Sequence, residues 1–324
     1  MANNYPVVNL TLRYNACSLS NETTIVALLI ITTILWAFSF SLIGEYLAGS
    51  VDSYFSVLMR VGLAALVFLP FLRTRGQSPR TIVLYMLVGA MQLGIMYLLA
   101  FRAYLYLTVS EFLLFTVFTP LYITLIYDLL SGRKLRWGYL LSAALAVLGA
   151  AIIRYDKVSD HFWTGLLLVQ LSNLCFAIGM VGYKRLMEVR PMPQHNAFAW
   201  FYVGAFIVAV AAWFMLGNAQ KLPTTTLQWS VLVWLGVVAS GLGYFMWNYG
   251  ATQVDAGTLG IMNNVHVPAG LLVNLAIWQE QPHWPSFISG ALVILASLWV
   301  HRRWVAPHSG QTADDRRRGS AQSE

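Results

Sequence analysis

The sequence predicts an all-α integral membrane protein of ten transmembrane helices, arranged as two inverted five-helix repeats. Three observations carry that reading. Of the 324 residues 58% are hydrophobic and 10% charged, where a soluble domain averages about a quarter charged. The apolar residues gather into runs of roughly 18 to 23, the length a helix needs to cross a hydrocarbon core. The end of one half also recurs in the other at a fixed offset.

The spans lie near residues 25 to 44, 53 to 72, 82 to 101, 108 to 130, 137 to 154, 162 to 183, 196 to 217, 227 to 250, 256 to 278 and 284 to 301. Membrane β-strands would be about ten residues long and strictly alternating, a pattern absent here. Residues 1–24 read as a disordered tail or a misassigned start, and residues 304–324 as a charged cytoplasmic tail. Basic residues set the orientation. Arg73, Arg75 and Arg80 follow span two, Arg133, Lys134 and Arg136 span four, and Lys184, Arg185 and Arg190 span six, so these loops and both termini are expected on the cytoplasmic side of an inner membrane. The net charge of +7 is thereby a matter of topology. No basic stripe or recognition motif points to nucleic acid.

The repeat is visible where Trp137-Gly138-Tyr139 opens span five and Trp284-Pro285-Ser286 opens span ten. An offset of 147 pairs Trp137 with Trp284, Ser142 with Ser289, and Leu148 with Leu295, and an offset of 148 pairs Pro120 with Pro268. The halves are therefore 25–155 and 160–303. An odd number of spans per half forces the two to cross the bilayer in opposite senses, the inverted-repeat arrangement of secondary transporters, whose sites lie between the halves near the midplane. The paired prolines predict a common helix break in spans four and nine.

Polar groups at membrane depth mark the candidate site. Span nine is the strongest: Asn263, His266, Gly270 and Asn274 share one face at helical spacing, Asn264 adjoins them, and Pro268 removes a backbone donor. Arg60, inside span two, costs about 2.5–3.5 kcal/mol to insert and suits a substrate carboxylate, which a guanidinium holds bidentately; an ion pair to Glu45 or Glu111 would be its structural alternative. Trp36, Gln92, Tyr122 and Asn173 supply flat walls and amides, the usual contents of a small-molecule pocket, although each amide also serves as interhelical glue. Glu111 is a candidate gate or proton-coupling acid at the start of span four. His266 either binds ligand, titrates or braces its helix.

Cys17 and Cys175, the only cysteines, form no redox or zinc pattern, and the histidines lack ligand-spaced companions, so no metal or cofactor is expected. There is no phosphate loop, nucleophile elbow or paired intramembrane carboxylate to support ATP-driven pumping or hydrolysis.

The ten-span pattern, WAFSFSLIGEYLAG in span one, the Thr-Pro of FTVFTPLYITLIYDLL in span four and the matching Val-Pro of span nine resemble the EamA-type branch of the drug/metabolite transporter superfamily over about residues 25–305. Within that branch, MLVGAMQLG, YKRLMEVRPMPQHNAFAWFY and GYFMWNYGATQVDAGTLGIMNN are similar to its biotin-importing inner-membrane members. The resemblance implies a gradient-driven carrier, with biotin as substrate and protons as a candidate coupling ion. The inventory suits biotin: Arg60 for the valerate carboxylate, Asn173, Asn263 and Asn264 for the ureido ring, Trp36 and Tyr122 for the bicycle. An exporter of amino acids or related metabolites would use similar groups. A membrane-embedded enzyme would need a catalytic cluster, and none is visible.

Overall fold

The computed structural model describes residue 25, residues 27–130, scattered positions between 141 and 152, residues 160–254, residues 256–279 and residues 284–304, with some side chains of the last two segments left undescribed. Most of the predicted fifth span, residues 1–24 and 305–324, and the loop before Asp160 lie outside the described residues. The described residues form helices α1 (Ala27–Leu47), α2 (Ser53–Phe71), α3 (Pro79–Ala103), α4 (Val109–Leu130), α5 (Asp160–Val189), α6 (Gln194–Leu216), α7 (Thr226–Gln253), α8 (Ala256–Val273, continued by a π-helical Asn274–Trp278) and α9 (Trp284–Trp304). The first seven are long and apolar enough to cross a membrane. The chain is a multi-pass, all-α membrane protein.

Helix starts follow from their caps. The Asp52 carboxylate accepts from the Phe55 amide (2.8 Å) at α2, and Ser78 with Pro79 opens α3. Capping boxes, Thr108 with Glu111 and Thr225 with Gln228, begin α4 and α7. At the far end of α7, Lys184 of α5 donates to the carbonyls of Ala251 (3.1 Å) and Val254 (2.9 Å), a favourable place for a cation.

α2 packs on α6 and on the middle of α7, α3 on α5 and α6, and α4 on α5 and α8. The outer surface is apolar, with Phe214 81% and Leu272 66% exposed, as lipid-facing residues are. The polar groups turn inward: Arg60, Gln92, Asn173, Asn248, Asn263 and His266 are all buried. This inversion of the soluble pattern keeps polar side chains where they find partners.

The paired prolines behave differently. α4 breaks at Val117–Phe118, just before Pro120, whereas α8 runs through Pro268 as a continuous helix. The expected common break is therefore confined to α4. At α4 the opened carbonyls find side-chain donors: Phe115 O accepts from Asn173 Nδ2 (2.9 Å) and Gln170 Nε2 (3.2 Å), and Thr116 O from the Thr119 hydroxyl (2.7 Å). Pro268 faces outward beside exposed Val265 and Leu272. Opening the helix there would strand more carbonyls in lipid than the one its ring already leaves without a donor.

Candidate functional site

A cavity lies at the centre of the bundle, walled by α1, α2, α3, α4, α5, α7 and α8. It encloses ≈ 70 Å³, room for a few waters at roughly 10–15 Å³ each. Pockets for drug-sized ligands are larger, about 300–1,000 Å³, so a bicyclic substrate would require the surrounding helices to part.

Arg60 is its electrostatic centre. The side chain is 3% exposed, its Nε donates to Ser240 Oγ (2.5 Å), and its guanidinium lies 4.1 Å from the Tyr97 ring centroid. Among the described residues no carboxylate lies within ion-pair distance of it, and the expected alternative pairing with Glu45 or Glu111 is not formed. The cation is held by a ring face and a hydroxyl, both neutral. The Tyr97 hydroxyl also bonds Ser240 (2.9 Å), so guanidinium, phenol and serine form one connected group.

That group depends on a local departure from α-geometry. Residues Leu235–Leu242 of α7 are π-helical, a form that frees carbonyls and recurs at functional sites. Ala239 O accepts from Trp36 Nε1 (3.1 Å), and Ser240 O from the Tyr202 hydroxyl (2.6 Å). Trp36 packs against Tyr244 (4.6 Å between ring centroids) and Trp247 (5.0 Å), and Trp36 and Tyr244 give the cavity an aromatic wall.

Among the described residues two further buried donors have no protein acceptor: Asn263 Nδ2 and the Tyr104 hydroxyl, both on cavity-lining residues. Such atoms are costly unless something else satisfies them. Together with Arg60 they offer hydrogen-bond donors to a ligand bearing a carboxylate or a carbonyl.

The cavity brings together Trp36, Arg60, Asn173, Asn263 and His266 of the residues singled out from the sequence. Asn173 divides its role, since its amide braces the Phe115 carbonyl. Both ring nitrogens of His266 are engaged by the protein, Nδ1 by Asn263 O and Nε2 by Thr116 Oγ1 (2.9 Å). The Asn264 side chain lies outside the described residues. Glu111 closes the capping box of α4, its carboxylate accepting from Thr108 N (2.9 Å).

Gln92 and Tyr122 do not line the cavity. Gln92 sits between α3 and α7 in a reciprocal amide pair with Asn248, bonded at 3.0 and 3.2 Å, and Tyr122 donates to Gln170 (3.1 Å). Their polar atoms are satisfied by neighbouring helices, the arrangement of a residue that braces one helix on another. Gln92→Ala would leave the buried Asn248 amide without its partner. It is expected to lower stability by about 1–3 kcal/mol with little effect on the cavity, as thermal unfolding in detergent would show.

Sequence reasoning missed Tyr97, Tyr104, Thr116, Ser240 and Tyr244, which also shape the cavity. Ser240 and Tyr244 lie in the run Ala239-Ser240-Gly241-Leu242-Gly243-Tyr244, whose small residues were the available sign of close approach: a Cβ on Gly243 would lie 3.3 Å from Trp36 Nε1. Thr116 lies four residues and Thr119 one residue before Pro120, a spacing at which hydroxyls can serve carbonyls opened by the proline.

The sequence pattern of the EamA-like transporter family matches residues 23–155 and, a second time, residues 163–302. This chain belongs to the EamA-like transporter family. A relative named a biotin transporter, from Escherichia coli (strain K12), is 83% identical over 298 residues, covering 92% of this chain and 100% of the relative. A second relative, named a probable biotin transporter, from Pseudomonas aeruginosa, is 55% identical over 276 residues, 85% of this chain and 96% of its own. A solved crystal structure shares the fold at a TM-score of 0.60 and 17% identity, over 87% of this chain and 96% of that one. Among the described residues no cluster of three or more His, Cys, Asp or Glu could hold a metal ion.

Proposed function

We propose that this chain is a secondary-active carrier that imports biotin across the inner membrane, with both termini cytoplasmic and ten spans in two inverted halves. The observation that carries the substrate is the 83% identity spanning the whole length of the Escherichia coli relative named a biotin transporter. The cavity agrees with it chemically. Arg60 would take the carboxylate, Asn263 Nδ2 and the Tyr104 hydroxyl the ureido carbonyl, and the Trp36 wall the apolar bicycle. Asn173, whose amide also braces the Phe115 carbonyl, and Asn264 remain candidates for the ureido ring, and Glu111 remains a candidate gate near the outer end of α4.

The twofold family match supports the halves, because each matched stretch takes in five of the predicted spans. Alternating access then consists of one half rocking against the other around the cavity. The break in α4 is a natural place for that movement, since its carbonyls are already held by side chains rather than by the next turn.

Uptake of labelled biotin into cells lacking their own biotin synthesis tests the reading. Accumulation above background is expected, and none would overturn it. Asn263→Ala removes a buried donor that has no partner among the described residues, so it is expected to reduce uptake by about tenfold, one hydrogen bond's worth of about 1–1.5 kcal/mol, without lowering the unfolding temperature. A fall in stability of equal size would make Asn263 a structural residue.

A further inference from the structure

His266 stands between partners that constrain its ring. Nδ1 faces the Asn263 carbonyl, which can only accept, so Nδ1 carries a proton. Nε2 lies 2.9 Å from the Thr116 hydroxyl, and that hydroxyl, with one proton to give, also lies 2.6 Å from the Leu113 carbonyl. With a neutral ring, Thr116 donates to Nε2 and Leu113 O loses that donor. With a charged ring, Nε2–H donates to Thr116, Thr116 donates to Leu113 O, and every group is satisfied. The same contacts thus hold two self-consistent arrangements that differ by one proton, and they meet at Thr116, beside the break in α4.

The surroundings decide what that proton does. Phe40 covers the ring at 5.3 Å between centroids. The titratable or charged groups lining the same cavity are Arg60 of α2, Tyr97 of α3, Tyr104 just past its end and Tyr244 of α7; among the described residues no carboxylate lines it. Glu111, on the His266-facing helix α4, is turned to its capping box. The charge of the cavity is therefore set by Arg60, His266 and whatever enters.

We propose that His266 carries the proton that moves with a carboxylate substrate, an inference that rests on the carrier reading above. A proton from the outer water joins Nε2 as the substrate anion reaches Arg60. It leaves Nε2 for the cytoplasmic water as the anion departs, and Nδ1 keeps its own proton throughout. The cavity then carries the same net charge loaded and unloaded: Arg60 alone when unloaded, and Arg60, imidazolium and carboxylate when loaded. A carboxylate moving without the proton would work against an inside-negative potential at about 2.3 kcal/mol per 100 mV. With it, import is electroneutral and draws on the proton gradient.

The test uses the full-length chain in proteoliposomes with labelled biotin. The wild type is expected both to exchange labelled for unlabelled biotin and to accumulate it when the outside is made acidic. His266→Gln, whose side chain cannot take the proton, is expected to keep exchange and lose accumulation. Thr116→Val, which removes the hydroxyl, is expected to lose accumulation, and Thr116→Ser, which restores it, to keep accumulation. Acid-driven accumulation by His266→Gln at the wild-type level overturns the assignment. So does loss of exchange together with accumulation, which would make His266 a binding or packing residue. A wild type that exchanges biotin but ignores the proton gradient overturns the proton role alone, and one that neither exchanges nor accumulates biotin overturns the carrier reading with it.

Discussion

Arg60→Ala is expected to reduce biotin uptake about 100-fold while leaving the folded protein intact. Two charge-assisted hydrogen bonds to a carboxylate contribute about 1.5–3 kcal/mol each, and each 1.4 kcal/mol is about tenfold in affinity. Part of that gain is offset by the cost of burying the substrate anion, which keeps the expected loss near the lower end. Stability should hold, because Ser240 retains the Tyr97 hydroxyl at 2.9 Å after the guanidinium is gone, and removing a buried cation that has no carboxylate partner relieves a desolvation cost. Arg60→Lys should fall between, with about a tenfold loss: the charge survives, but the planar fork and the Nε bond to Ser240 do not. Uptake kinetics and thermal unfolding, measured on the same preparations, separate the two roles. If both variants transport normally, Arg60 has no part in binding; if both unfold, its role is structural.

How far such a site can be read from sequence depends on whether its logic is local. The inward face of α8 was legible because Asn263, His266 and Asn274 recur at helical spacing in an apolar run, and all three are buried. Arg60 was legible because a guanidinium at membrane depth is expensive wherever it points. Gln92 shows the opposite case. An amide in an apolar helix looks the same whether it faces a cavity or a neighbour, and its partner Asn248 lies 156 residues away. The π-helical stretch of α7 also escaped, since an inserted residue shifts which side chains face inward without leaving a mark in composition. The prolines mislead in a related way: the pairing of Pro120 with Pro268 is in the sequence, but whether a helix opens at a proline is decided by donors on other helices, here Gln170 and Asn173.

The second large effect concerns the fold around the site. α3 and α6 cross with their backbones almost touching, at Gly89 and Gly204. A Cβ on Gly89 would sit 1.9 Å from the Phe201 carbonyl oxygen, and one on Gly204 1.9 Å from that of Met86. Both obstructions are backbone, so no rotamer change relieves them. Small residues at such crossings are how membrane helices gain van der Waals contact where lipid supplies no hydrophobic drive. Gly89→Ala or Gly204→Ala must push the helices apart, which costs about 1–3 kcal/mol or more. Because α3 also carries Tyr97 and α6 carries Tyr202, the separation would reach the Arg60–Ser240 group through the Tyr202 bond to Ser240 O (2.6 Å). Each single variant is therefore expected to lower the unfolding temperature and to weaken biotin uptake. The double variant should cost less than the sum of the two, because one separation of the helices clears both clashes. Additive losses in thermal unfolding would mean that the two contacts yield independently and that the helices do not cross as rigid rods.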